Sequence, residues 1–166
     1  PGAHKFVIQD PPLSVAPQEA SSATRTVLEK AAQNLPVEDG RDFEFAQRGF
    51  IASWPEAVIR QENGRPSFDL AGNDFIEGKA PETVHPSLWR QNRVLRSEGL
   101  FRLAAGVYQV RNFDNSNVTF IETPNGWIVI DPLTFAEVSA AALKLLKHFL
   151  TIAVCQLTKK SLSKLV

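Results

Sequence analysis

Methionine is absent from this 166-residue chain, and cysteine occurs once, at Cys155. A single thiol excludes an intramolecular disulfide and says little about compartment. A chain that begins at Pro1 without any methionine is expected to be a processed product or a piece of a longer protein. Histidine is scarce as well: His4, His85 and His148 are the only three, far apart in sequence. Net charge is lacking, with 18 basic side chains against 18 acidic ones. A neutral chain has no electrostatic footprint for nucleic acid or an anionic membrane, so neither is expected as a partner. No apolar run approaches the roughly 18 residues that span a bilayer. No signal peptide is visible. Because a removed one would leave no trace, a soluble protein is expected with its compartment open, periplasmic or secreted if a leader was cleaved. The tail reads Ser163-Lys164-Leu165-Val166, so a peroxisomal tripeptide is not at the terminus. A Gly-rich phosphate loop and a Ser-centred nucleophile elbow are both missing.

What is present has the composition of an ordinary globular protein: 43% hydrophobic and 22% charged residues. The length suits one domain, or one domain and an arm. The 11 prolines cluster outside the expected helices. Residues 1–19 are proline-rich and read as an extended arm. Residues 20–34 read as a helix capped by Ser21 or Ser22 and stopped by Pro36. Residues 41–52 carry Phe43, Ala46 and Phe50 at helix-like spacing, which predicts a short second helix. Asn63-Gly64 predicts a hairpin turn, and Ser87–Arg96 one or two helical turns.

From Gly99 the texture changes to strands. LFRLAAGVYQVRN, NVTFIET and WIVIDP read as three short strands joined by tight turns, a meander. WIVI is apolar on both faces, as a strand between two layers would be. Phe135–His148 predicts a helix with Val138, Ala141, Leu145 and Leu146 in one stripe, with Thr134 and Glu137 placed as a capping box. Leu150–Val154 begins like another buried strand, and residues 155–166 form an atypical Lys- and Ser-rich tail. Strands followed by a helix point to an α/β or α+β layer fold.

Four phrases in order, RDFEFAQRGFIAS (41–53), APETVHPSLWRQNRVL (80–95), GLFRLAAGVYQVRNFDNSNVTFIE (99–122) and GWIVIDPLTFAEVSAAAL (126–143), resemble the zinc-dependent alkyl sulfatases of the metallo-β-lactamase type. The resemblance covers roughly residues 41–146. It implies that residues 99–154 are the first strands and helix of a metallo-β-lactamase αββα sandwich, and that residues 1–98 are an irregular, partly helical N-terminal arm. The family reaction it implies is hydrolysis of alkyl sulfate esters by a zinc-activated water, with two zinc ions in a complete member. In that family the next strand delivers a His-x-His-x-Asp-His loop. Here Cys155-Gln156-Leu157-Thr158-Lys159-Lys160 follows, with no histidine. The chain is therefore expected to be an N-terminal part cut off before the metal motif, to bind no cofactor itself, and to be inactive alone. The alternative is a non-catalytic truncated product or a small binding module without metal. The partners implied are an alkyl sulfate for the complete protein, and a second copy or a missing C-terminal part for this chain.

Candidate site residues are few. The resemblance places Asn117 near the active-site cleft, where its amide would donate to a sulfate oxygen. The plainer reading is a turn asparagine bonding its own backbone. It places Asp131 at the first strand-end motif, orienting the later metal loop; otherwise it is a strand-end aspartate. The sequence departs from the family at Asn112, where glycine is usual, and at Phe45, where an acidic residue is usual. A zinc site needs three or more protein ligands per metal, and the histidines read instead as a loop residue, a helix-end cation and an arm residue. Arg90, Arg93 and Arg96 read as one solvated ridge, with an anion site as the sharper alternative. Trp54, Trp89 and Trp127 read as packing residues, and Cys155 as no catalytic thiol.

Overall fold

Capping and glycine chemistry set the first half of the chain. In the computed structural model, residues 18–33 and 40–162 are described, with side chains to residue 153. The arm before residue 18, the stop at Pro36, His4, the Cys155 side chain and the last four residues lie outside them. Helix α1 (Ser22–Gln33) begins where Ser21 Oγ accepts the Thr24 N–H at 3.1 Å, satisfying one first-turn donor. Helix α2 (Arg41–Gln47) is shorter than the helix expected over 41–52. Gly49, at φ 76°, reverses the chain, and Phe50–Ala52 become strand β1. A Cβ at Gly49 would run into the Arg102 carbonyl oxygen. The helical spacing of Phe43, Ala46 and Phe50 was thus overridden by a turn that only glycine fits.

Strands β2 (Val58–Arg60) and β3 (Pro66–Asp69) form the antiparallel hairpin expected at Asn63-Gly64, with Gly64 at φ 83°. Helix α3 (Pro86–Leu95) starts with Pro86 in its first turn, behind a His85 cap. Strands β4 (Gly99–Ala104), β5 (Val107–Arg111), β6 (Val118–Thr123) and β7 (Gly126–Ile130) follow, then helix α4 (Ala136–Leu162). Gly106, at φ 70°, splits the first expected strand in two, so the meander has four strands. One antiparallel sheet results, in the order β1-β4-β5-β6-β7. The architecture is mixed α and β, as expected.

Period-two alternation puts Leu100, Tyr108, Val110, Val118 and Phe120 on one sheet face, where they meet the α4 stripe of Val138, Ala141, Leu145 and Leu146. Each fully buried side chain of this kind contributes about 1.5–3 kcal/mol. Phe113, Ile59 and Ala142 complete the core. Strand β1, from the expected arm at 1–98, joins the sheet beside β4.

Three expectations are corrected. Strand β7 is not sandwiched: Trp127, Ile128, Val129 and Ile130 are 41%, 53%, 48% and 52% exposed at the edge of the sheet. Leu150–Val154 is no strand but a continuation of α4, so His148 does not end a helix. Extending a formed helix adds one hydrogen bond per residue fixed, and no turn signal interrupts it; Thr151 Oγ1 donates back to the Lys147 carbonyl at 2.9 Å. The capping box does not form either. The Thr134 N–H donates to Asp114 at 2.6 Å, and Glu137 accepts instead from Ser67 Oγ at 3.4 Å.

Candidate functional site

The β5–β6 loop, residues 112–117, is the most polar turn of the sheet and borders a cavity of about 510 Å³. Its backbone path depends on Asn112, which sits at φ 59°. Asparagine is among the few non-glycine residues that tolerate this left-handed region. Asn112 thus makes the turn at a position where the resemblance implies glycine. The Asn112 N–H donates to Asn117 Oδ1 at 3.4 Å. Asn117 is therefore a turn residue in its carbonyl half. Its Nδ2 has no protein acceptor among the described residues, and the residue borders the cavity.

Asp114, which sequence reasoning passed over, is the residue that organises the loop. It is buried, and its Oδ1 accepts from the Ser116 N–H at 2.8 Å and from Ser116 Oγ at 3.2 Å. Its Oδ2 accepts from the Thr134 N–H. Burial raises the affinity of this carboxylate for a proton, but the hydrogen bonds from Thr134 and Ser116 together outweigh it and hold the group below the ordinary aspartate value. Asp114 thus ties the β5–β6 loop to the β7–α4 turn. The signal was the Asp-x-Ser pattern of an Asx turn.

Asp131 lies across from that loop and accepts from Ser116 Oγ at 3.3 Å. It is exposed and held at φ 53°, and Leu133 two residues later is at φ 73°. Two non-glycine residues in the left-handed region within one turn require surrounding structure to hold them. Asp114, Ser139 and the Pro132 carbonyl supply it: Ser139 Oγ donates to Pro132 O, and Asp114 takes the Thr134 N–H. Asn117 and Asp131 therefore border the same pair of loops, linked through Ser116.

The other candidates are structural. Arg90 bonds Asp42 at 2.8 Å and lies over the Phe43 ring, as does Arg93. Arg96 reaches Asp74, Glu77 and the Ile76 carbonyl. The expected solvated ridge instead staples α3 to α2 and to the 74–78 loop. His85 Nδ1 is engaged by Ser87 Oγ at 2.7 Å, and His148 is exposed on α4. Trp54 packs edge-on against Phe113, and Trp89 against Phe75. Phe45 is exposed under the Arg48 guanidinium. Among the described residues, no three His, Cys, Asp or Glu side chains gather closely enough to hold a metal ion, and no helix is long and apolar enough to cross a membrane.

No protein-family model matches the chain. Relatives do. It is 41% identical over 128 residues to a linear primary-alkylsulfatase of Pseudomonas sp., covering 76% of this chain and 19% of that protein. It is 38% identical over 133 residues to an (R)-specific secondary-alkylsulfatase of Pseudomonas sp., covering 80% and 20%. It is also 38% identical over 129 residues to an alkyl/aryl-sulfatase of Saccharomyces cerevisiae, covering 77% and 20%. Among solved structures, the stereoselective inverting sec-alkylsulfatase Pisa1 from Pseudomonas sp. superposes with a TM-score of 0.71 at 39% identity, over 77% of this chain and 20% of that one. The chain thus spans about one fifth of the length of the relatives it matches. This likeness in both sequence and fold supports the chain as a segment of an alkyl sulfatase family member.

Proposed function

We propose that the chain is a segment of an alkyl sulfatase of the metallo-β-lactamase type, whose whole protein hydrolyses alkyl sulfate esters to alcohol and sulfate. We propose too that these 166 residues do not perform the reaction alone. The observation that carries the reading is the 38–41% identity to three enzymes named for primary, secondary and alkyl/aryl sulfates. In the whole protein the β5–β6 loop and the β7–α4 turn would form one wall of the substrate cleft. Asn117 Nδ2 is the donor assigned to a sulfate oxygen, and Asp131 steadies the opposing turn through Ser116.

Zinc is what the family resemblance implies, and the donors described here do not fit it. Tetrahedral zinc sites take three or more Cys, His or carboxylate ligands. Here His85 is turned to Ser87, His148 stands apart on α4, and Asp114 and Asp131 meet over a serine. No step is assigned to a metal in this chain.

The test is sulfate release from octyl sulfate, with and without added zinc, by the 166-residue chain beside a full-length relative. Release by the relative and none by the chain is the expected result. Zinc-dependent turnover by the chain alone would sink the claim of inactivity. A family-length protein containing this segment that cleaved no alkyl sulfate would sink the assigned reaction.

A further inference from the structure

Most arginines that border cavities in this molecule have an acid partner. Arg25 bonds Glu82, Arg90 bonds Asp42, and Arg96 bonds Asp74 and Glu77. Arg93 has none among the described residues and lies over the Phe43 ring, with a bond to the Gly78 carbonyl. Arg111, at the end of β5, also has none among them. Its guanidinium lies 4.2 Å over the buried ring of Phe101. Its Nε donates to Gln109 Oε1 at 2.7 Å, and its Nη1 to the Ala46 carbonyl at 3.2 Å. Gln109 is itself held by Thr119 at 3.1 Å. Ring and bonds fix the plane of the group, while Nη2 meets no protein acceptor among the described residues. A guanidinium has five N–H donors, so the two on Nη2 and one on Nη1 remain for an oxyanion, on a group already oriented.

The surroundings are donors too. Arg111 lines the cavity beside the β5–β6 loop together with Asn112 and Asn117, whose Nδ2 groups have no protein acceptor among the described residues. Asp114 borders the same space, but both its oxygens already accept hydrogen bonds from Ser116 and Thr134. We infer that Arg111 anchors an anion site, in which its guanidinium and the amides of Asn112 and Asn117 receive a tetrahedral oxyanion of the sulfate type. Burial weakens the hold of Arg111 on its proton, and a bound anion offsets that cost. The cavity, at about 510 Å³, has room for more than the anion, and Val94 and Leu95 line its apolar side. Assigning the anion to the head of an alkyl sulfate rests on the sulfatase reading above; the anion site does not.

The experiment is titration of the 166-residue chain with inorganic sulfate, butyl sulfate and butanol, at ionic strength held constant with chloride. Heat of binding and the Arg111 Nε–H resonance are the readouts. Saturable binding of sulfate with a shift of that resonance is expected. Arg111→Gln should weaken binding at least about tenfold and Arg111→Lys by less, since the charge survives but the fork does not. Because Arg111→Gln also uncovers Phe101, Asn117→Asp serves as the second variant. It keeps the acceptor for the Asn112 N–H on an exposed loop, places a negative charge in the site, and should weaken sulfate as strongly. Unsaturable binding by a folded chain, or unchanged binding in both Arg111→Gln and Asn117→Asp, overturns the site. Butyl sulfate binding more tightly than inorganic sulfate supports the ester; butyl sulfate binding no more tightly overturns that assignment, and the sulfatase reading is then judged by its own release assay.

Discussion

Strands β6 and β7 are neighbours in one sheet, and both are written in residues that favour strands, yet they meet opposite fates. Val118 and Phe120 of β6 are 2% and 4% exposed, while every residue of β7 is exposed. Val129 pairs directly with Phe120 and shares its face. The difference lies in where α4 rests. The helix packs chiefly on β2, β3 and β4, so its cover runs out before the β7 edge. Hydropathy states that a side chain gains from cover; sheet order and helix position determine whether cover arrives.

The sharpest way to break this comparison is truncation on either side of it. Phe120→Ala should cost about 3–5 kcal/mol, as large-to-small changes in a packed core do. Ile128→Ala should cost about 1 kcal/mol or less, because little area is lost from cover. Urea denaturation at low protein concentration measures both, and equal costs would mean that β7 is covered in solution.

Asp114 links the two sides, since it joins the loop after β5 to the turn after β7. Asp114→Ala should cost about 2 kcal/mol, by stranding charged hydrogen bonds in a buried position. Its folded carboxyl lies below the ordinary value. The stability it contributes is therefore present above the unfolded pKa and lost as pH falls through the folded one. Stability curves from pH 7 downward should decline for the native chain and flatten in that acid window for Asp114→Asn.

Glu98, just ahead of β4, has the opposite sign. Burial outweighs its hydrogen bonds from Ser53 and Trp54 and raises its affinity for a proton above the ordinary value of 4.5. Its favourable contribution is full below that value and is lost as pH rises through the raised one. Glu98→Gln should stabilise the chain modestly at neutral pH and make no difference near pH 3, as thermal melts across pH would record.

The smallest effect on stability belongs to β7 itself. Ile128→Lys or Ile130→Lys should change unfolding free energy by about 0.5 kcal/mol or less. Either should nonetheless reduce self-association, because an apolar exposed edge invites pairing and an edge lysine blunts it. Sedimentation velocity reads this directly, and unchanged association would place the contact elsewhere.

Local chemistry made much of the fold legible before any coordinates. Ser21 caps α1, Asn63-Gly64 turns the hairpin, and the stripe Val138, Ala141, Leu145 and Leu146 packs on the sheet. Errors arose where a local pattern had two solutions. Phe43, Ala46 and Phe50 suit a helix until Gly49 turns the chain, and LTIAV suits a strand until α4 simply continues through it. At the candidate site, Asn117 and Asp131 were singled out through the resemblance. Arg111 and Asp114 were not, because their meaning depends on what they lack or gather in space. Arg111 is informative for lying clamped over the buried Phe101 ring with no acid partner among the described residues, and Asp114 for donors from a turn that follows a different strand.

The sequence by itself determined the caps, the turns, the apolar faces and the family, since each is written in residue types at short separations. Tertiary structure alone decided which apolar strand is covered, which arginine is held over a buried ring, and which aspartate joins two loops. Those outcomes depend on contacts between residues far apart in the chain, which no local spacing encodes.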